Sequence, residues 1–464
     1  MNDVHASSAS GLAAAYSRGD LSPVEVSGKI LARIDAWEPR INAMYRIDRE
    51  GALQQARASE ARWRAGKPRS PLDGVPVTLK ENIYTRGDPA PIGTRANEDA
   101  PPQPADAPPA ARVREAGCVI LGKTTMPDYG MLSSGLSSFH GVTRNPWRLD
   151  RNTSGSSSGA GAAAVAGYGP LHIGTDIGGS VRLPATHCGI FALKPSLGRV
   201  PVHPPYMGRV AGPMTRSVED AALLMHVLAR PDARDFMGLP PHAFDFSAVD
   251  PVAPKGLKIG FLPDMGVGLA VNREVRAAAD AAATALAGAG CTVESIRSFL
   301  TEEMFDGISR FFEARSYDDF MQLSAARQKC VLPFIAEWCT WRAADFSGRD
   351  AIRAYTLVMA MREAAVAATE PYDFILSPAS PILPYEAELP APGNDPRNAL
   401  PHIAFTVPFN MSEQPAASIN WSYSAEGLPI GVQVIGKRFD DIGVLRLSLL
   451  VEQLRPKQRP WPQA

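Results

Sequence analysis

The sequence predicts an α/β/α sandwich, an α/β protein in which a mixed central β-sheet is covered by helices. A strand–helix–strand unit is expected at 257–296: the apolar run LKIGFL, an Ala-rich helix over 274–289 and a strand over 291–296. Such a unit is typical of parallel pairing in an α/β sheet. With 464 residues, 45% of them hydrophobic, and a net charge of −1, the composition is that of an ordinary globular protein, expected to form one domain over 1–464.

The remaining elements follow from periodicity and from capping residues. Residues 9–70 are expected to be helical, with one helix beginning at Ser22-Pro23 and another over 46–65. Further helices are expected over 110–116, 218–229, 302–369 and 442–453. Apolar runs predict strands over 74–80, 118–121, 170–174, 374–376, 416–421 and 430–435. Proline-rich stretches predict loops over 88–109, 231–254 and 384–401, the last of which could rim a pocket.

Charge and cysteine content exclude several classes of function. With a net charge of −1, nothing suggests a basic surface for nucleic acid, and no 18-residue uncharged apolar run predicts a membrane span. The five cysteines form no CxxC pair, and their odd number argues against a disulfide framework. The opening MNDVHASSAS does not read as a signal sequence, so a cytoplasmic location is expected.

Residues 153–199 form the segment around which the chain is organised. It is poor in charge and rich in Gly, Ser and Ala, which is a composition found in flexible linkers. However, the small residues alternate with the apolar runs AAAVAGYGPLHI and CGIFALKP, which a linker would not carry. A packed core in which backbones approach closely is therefore expected.

Within this segment, TDIGGS (175–180) follows a strand and ends in Ser180. A serine after two glycines can lie on a tight turn whose consecutive N–H groups point to one place, as in an oxyanion hole. A phosphate-binding loop is the alternative, but the Gly-Lys-Ser/Thr ending and a GxGxxG are both missing. Ser180 is therefore the candidate nucleophile.

A serine nucleophile needs a base, and two residues are candidates. His187 is near in sequence but is more typical of a packed core residue, and no GxSxG surrounds Ser180. Lys80 ends the apolar segment GVPVTLK, and a buried lysine has a lowered pKa that makes the neutral amine available. Taken alone, a lysine is more often a solvated surface charge.

Several ordered motifs together resemble the amidase signature family of serine hydrolases. They span about residues 10–450 and comprise GVPVTLKENI, LGKTTM, TRNPW, SGSSSGAG, GTDIGGSVRLPATHCGIFALKPSLGR, GPMTRSVED, YDFILSP and GLPIGVQ. The run SGSSSGA departs from the usual GGSSGGS, and Glu81 stands where Asp is commoner.

The resemblance implies a Ser–cis-Ser–Lys triad with no metal or organic cofactor. Ser180 is the implied nucleophile and Lys80 the base, while the family spacing of 24 residues selects Ser156 as the bridging serine after a cis peptide. The backbone N–H groups of Ile177, Gly178, Gly179 and Ser180 are the implied oxyanion hole. Supporting roles are expected for Ser157, through hydrogen bonds, and Asp176, which would orient the loop.

The implied activity is hydrolysis of amides and carbamates of small aryl substrates through an acyl-enzyme. By motif alignment, Gly130, Met131 and Leu132 are expected to line the pocket, with plain core packing as the alternative for Met131. The helical segment 302–369 is expected to cap it. Within the family the chain also resembles urethanases, which cleave aryl carbamates. A general aryl acylamidase or esterase, and the glutaminase-type component of an amidotransferase complex, remain alternatives, and the oligomeric state is open.

Overall fold

A computed structural model describes residues 4–464. The α-helices are α1 (Ala9–Arg18), α2 (Pro23–Ile41), α3 (Arg49–Arg64), α4 (Pro108–Glu115), α5 (Ser158–Ala166), α6 (Arg182–Cys188), α7 (Val218–Leu228), α8 (Arg273–Gly288), α9 (Glu302–Met321), α10 (Ala325–Gln328), α11 (Pro333–Thr340), α12 (Gly348–Thr369), α13 (Val407–Met411) and α14 (Asp441–Leu454). The strands are β1 (Met44–Ile47), β2 (Pro76–Lys80), β3 (Val119–Thr124), β4 (Leu136–Ser137), β5 (Gly141–Val142), β6 (Arg144–Asn145), β7 (Arg148–Asn152), β8 (Leu171–Asp176), β9 (Phe191–Lys194), β10 (Val210–Thr215), β11 (Lys258–Phe261), β12 (Thr292–Ser295), β13 (Phe374–Pro378), β14 (Ala416–Tyr423) and β15 (Pro429–Gly436).

Eleven strands form one mixed sheet in the order β1-β3-β2-β8-β10-β9-β14-β15-β13-β11-β12. Strands β3, β2 and β8 run parallel to one another, as do β13, β11 and β12, whereas the pairs between these two groups are antiparallel. Helices cover the sheet, and β4–β5 and β6–β7 form two separate hairpins. The predicted α/β architecture with a mixed central sheet is confirmed.

Two local predictions are confirmed with their physical causes. The unit β11–α8–β12 pairs its strands in parallel, with Ile259 opposite Val293. Helix α2 begins where Ser22 Oγ accepts a hydrogen bond from the Glu25 N–H (3.0 Å), and its apolar face is buried against the core.

At a few places the structure differs from the sequence prediction. The stretch 46–65 does not start as a helix, because Met44–Ile47 is an edge strand paired antiparallel with β3 and Asp48 caps the helix that follows. Strands β9 and β10 lay outside the sequence predictions. The loop over 88–109 is only partly exposed: a 3-10 turn at Arg95–Asn97 and the first residues of α4 interrupt it.

The signature segment 153–199 forms the interior of the molecule rather than a linker. Every residue in it is buried except Ile177 and Ser180, which are half-buried. A second apolar cluster contains residues of α9, α11 and α13, and Ile177 packs against it. Among residues 4–464, no helix combines the length and the apolar character needed to cross a membrane.

Candidate active site

The candidate site lies at the carboxyl ends of the parallel strands β2 and β8. Leu79 is opposite Ile173 in this pair, so Lys80 and Asp176, the last residues of the two strands, reach the same edge of the sheet. Loops following the carboxyl ends of parallel strands are the usual place for ligand sites in α/β proteins.

Lys80 is completely buried, and its amine contacts the bridging serine predicted from the sequence. Lys80 Nζ donates a hydrogen bond to Ser156 Oγ over 2.7 Å. The Gly155–Ser156 peptide is cis, as the resemblance implied. Gly130 lies against this serine: a Cβ at position 130 would be 3.2 Å from Ser156 Oγ.

The environment of Lys80 favours the neutral amine. Burial lowers the pKa of Lys80 well below its usual value, and the positive charge of Arg209 adds to this, while Asp176 and Glu81 act in the opposite direction. Both carboxylates are engaged elsewhere: Asp176 pairs with Arg182 (3.0 Å) and Glu81 with His140 (2.6 Å).

Ser180 lies beside Ser156, since the Ser157 N–H donates to the Ser180 carbonyl (3.1 Å) and both serines border one cavity. Ser157 holds this arrangement through its hydroxyl, which donates to the Thr175 carbonyl (3.1 Å) and accepts from the Thr175 N–H (3.3 Å). The structure therefore brings Lys80, Ser156 and Ser180 together at one place.

Residues 177–180 form a turn whose four backbone N–H groups differ in their hydrogen bonding. Among the described residues, no protein acceptor engages the N–H groups of Ile177, Gly178 or Ser180. The N–H of Gly179 differs from the expectation, because it donates to Asp176 Oδ1 (2.8 Å) and is thus turned toward the carboxylate. Of the four N–H groups that the resemblance implied, those of Ile177, Gly178 and Ser180 are therefore free and that of Gly179 is not.

The Asp176 carboxylate holds this turn in place through hydrogen bonds. Besides the Gly179 N–H, it accepts hydrogen bonds from the Val181 N–H (3.0 Å), the Asn410 amide (2.8 Å) and the Arg182 guanidinium (3.0 and 3.2 Å). Burial acts to raise the pKa of Asp176, but the charge and hydrogen bonds of Arg182 outweigh it and hold that pKa below its usual range. Asp176 thus holds the turn through hydrogen bonds that favour its ionised form.

The cavity above the serines has a volume of about 520 Å³. Gly130, Met131 and Leu132 border it. Met131 also packs against two apolar clusters, so it both lines the cavity and takes part in core packing. Residues of the segment 302–369 also border the cavity: Phe312, Arg315, Ser316, Asp319, Gln322, Leu323 and Trp338. Leu400, from the loop over 384–401, also borders the cavity.

His187 does not belong to this site. It is buried in the core, its ring packs edge-on against Tyr385, and burial lowers its pKa to about 3. Among residues 4–464, no cluster of three or more His, Cys, Asp or Glu side chains could hold a metal ion.

Sequence reasoning missed several polar residues of the cavity. Asn82 and Tyr84 follow β2, and Arg209 precedes β10. Asn82 could have been found from its place two residues after Lys80, whereas nothing distinguished Arg209 from other arginines.

Comparison with known proteins agrees with this geometry. A family model described as Amidase matches residues 25–445. The chain belongs to the amidase signature family. An acylamidase of Rhodococcus erythropolis is 32% identical, covering 98% of this chain and 96% of its own. The A-type subunit of the glutamyl-tRNA(Gln) amidotransferase of Myxococcus xanthus (strain DK1622) is 34% identical, with 95% and 96% covered.

Among solved structures, a bacterial aryl acylamidase of the amidase signature family superposes with a TM-score of 0.89 at 28% identity, covering 97% of this chain and 96% of its own. As an amidase signature protein with such neighbours, the chain is a hydrolase of C–N bonds.

Proposed function

We propose that this amidase signature enzyme hydrolyses amide and carbamate bonds of small aryl substrates, with Ser180 as nucleophile, Ser156 as proton relay and Lys80 as base. The observation that carries the proposal is the 2.7 Å contact between a fully buried lysine amine and Ser156, beside Ser180. A buried lysine whose pKa is lowered, facing hydroxyl groups at a cavity, is typical of general-base chemistry.

In this mechanism, neutral Lys80 accepts the proton of Ser156, which takes that of Ser180 as Ser180 Oγ attacks the substrate carbonyl. The free N–H groups of Ile177, Gly178 and Ser180 hold the resulting oxyanion. The C–N bond then breaks, and the relay returns the proton to the leaving amine. Water hydrolyses the acyl-enzyme and regenerates Ser180; from a carbamate, the released carbonate half-ester decays to CO₂ and alcohol.

The substrate class rests on the cavity walls. The side chains of four residues supply apolar and aromatic surface in the cavity that the serines border, which suits an aryl group: Met131, Leu132, Phe312 and Trp338.

We propose that residues 302–369 cap the pocket as part of one domain over 1–464. The five cysteines are free, which supports a reducing, cytoplasmic setting.

The test is release of 4-nitroaniline from ethyl N-(4-nitrophenyl)carbamate and from 4-nitroacetanilide. Wild type should cleave both, and Ser180→Ala should lose nearly all turnover. A matched control is Ser448→Ala, which removes a buried hydroxyl bonded to the Val444 carbonyl within α14. Normal activity in purified Ser180→Ala would contradict the proposed triad. Cleavage of the anilide but not of the carbamate would indicate an aryl acylamidase without carbamate activity.

A second candidate is the glutaminase-type component of an amidotransferase, favoured by the 34% identity to the Myxococcus xanthus protein. Such a protein would act on glutamine and pass ammonia to a partner chain. Glutamine hydrolysis by the purified chain, at a rate exceeding that on aryl anilides, would favour this candidate over the aryl hydrolase.

A further inference from the structure

Arg209 occupies a fixed position next to the oxyanion turn. Its neighbour Val210 pairs with Asp176 across β10 and β8, so Arg209 lies level with Ile177 at the edge of the sheet. The Arg209 N–H donates to the Tyr206 carbonyl (3.0 Å). The carbonyl of Gly208 accepts from the Asn410 amide (3.0 Å), the same amide that holds Asp176. The backbone of Arg209 is therefore tied to the anchor of the candidate oxyanion hole.

Among the described charged residues that border the cavity, all but Arg209 have a partner of opposite charge. Asp176 pairs with Arg182, and Arg315 lies 3.9 Å from Asp319 and over the ring of Tyr206. The Arg209 guanidinium makes one hydrogen bond, from Nη1 to the Pro204 carbonyl (3.2 Å). No carboxylate within residues 4–464 lies within ion-pair distance of it.

The half-buried Arg209 guanidinium, which has no counter-ion among the described residues, favours binding of an anionic ligand. It presents its remaining N–H donors in a planar fork that matches a carboxylate, and it stays protonated although burial lowers the pKa of Arg209. Removing a charge from water is costly unless a partner compensates for it. Because Arg209 borders the same cavity as Ser156 and Ser180, the compensating partner would be part of the substrate.

We propose that Arg209 is a specificity-determining residue that binds a carboxylate of the substrate, so that carboxylate-bearing aryl amides and carbamates are preferred. This inference rests on the proposed function and names a narrower substrate class for the same site. A charge-assisted, bidentate pair of this kind predicts a preference of roughly 10- to 100-fold over a neutral isostere.

The test compares substrates that differ only in a carboxylate and its neutral amide isostere. One pair carries the difference on the acyl side: glutaric acid mono-4-nitroanilide against glutaramide mono-4-nitroanilide. The other carries it on the leaving amine: 4-acetamidobenzoate against 4-acetamidobenzamide, followed by chromatography. The readout is the ratio of kcat/KM within a pair. Since Arg209 also affects the charge state of Lys80, absolute rates will change in a variant, but that change cancels in the ratio.

Wild type should prefer the carboxylate in at least one pair, and the pair that responds identifies the side on which it binds. Arg209→Met should bring that ratio close to one, mainly through a higher KM for the anionic substrate, and Arg209→Lys should retain part of it. The control is Arg315→Met, which removes a cation of the same cavity that already has a carboxylate beside it and should leave most of the preference.

Two failures are distinguishable. If wild type cleaves the neutral substrates but shows no preference for either carboxylate, the inference about Arg209 is wrong and the proposed function stands. If wild type cleaves neither member of either pair, nor the carbamate and anilide above, the proposed function itself fails. Equal loss of preference in Arg209→Met and Arg315→Met would also overturn the inference, since it would reflect the net charge of the cavity. The wild-type comparison needs no variant to fold.

Discussion

Gly130→Ala is expected to weaken the Lys80–Ser156 contact without replacing a proposed triad residue. Gly130 has a φ of +68°, and a Cβ added there would lie 3.1 Å from Met126 Cε and 3.2 Å from Ser156 Oγ. The Met126 methyl group ends a flexible side chain and can move away. Ser156 is buried, so the added Cβ would push its hydroxyl by a few tenths of an ångström.

Such a shift would lengthen the 2.7 Å hydrogen bond to Lys80 and misalign the relay. Misplacement of catalytic groups by up to about 1 Å costs as much as a hundredfold in rate, so we expect kcat to fall about 10- to 100-fold. The left-handed backbone conformation adds a stability cost of about 1–2 kcal/mol for any residue with a Cβ.

Gly66→Ala separates these two effects. Gly66 has nearly the same φ, +66°, but a Cβ there would have no atom within 4 Å. Urea unfolding should show a comparable loss of stability in both variants, whereas 4-nitroacetanilide turnover should fall only in Gly130→Ala. Native kcat in a folded Gly130→Ala protein would refute the reasoning that Ser156 Oγ must stay in place.

Three further predictions concern the same site. Lys80→Met should be inactive but more stable than wild type at neutral pH. Because folding lowers the pKa of Lys80, the unfolded wild-type chain binds an extra proton below about pH 10.4, and wild-type stability falls as pH decreases. The gain in Tm of the variant over wild type should therefore grow from pH 10 to pH 7. If that gain is independent of pH, the burial argument is wrong. Ser156→Ala should lose most but not all kcat, because water can occupy the relay position; complete retention in steady-state assays would contradict the relay. Asp176→Asn should cost about 3–5 kcal/mol in urea unfolding by leaving the buried Arg182 charge uncompensated, and a loss below 1 kcal/mol would argue against it as the anchor.

The α/β architecture was predictable because helical and strand periodicities are local properties of the chain. The prediction failed at Met44–Ile47, where a short edge strand directly precedes a charged helix; its strand character comes from pairing with β3, which lies far along the chain. Strand β10 was missed for a similar reason, since its Gly and Pro weaken the local signal and its place depends on pairing with β8.

Within the site, the sequence located the residues whose types carry chemistry but not the direction of individual bonds. Lys80 contacts Ser156, and Ser180 borders the same cavity as Ser156. That the N–H of Gly179 points to Asp176, rather than to the cavity, depends on the fold of a four-residue turn. The isolation of Arg209 also could not be predicted, because it is a property of which carboxylates other elements bring near.

The network around Arg182 has a consequence for how the protein is made. Arg182 donates to Asp176 close by, and also to the Thr406 carbonyl (3.0 Å), Asn410 Oδ1 (2.5 Å) and Gln433 Oε1 (2.8 Å), more than two hundred residues later. During synthesis on the ribosome, the turn carrying Ser180 therefore lacks its full set of supporting contacts until β15 has been made. We therefore expect hydrolytic competence only in chains that extend beyond β15, and a chain that stops before Pro429 to be inactive.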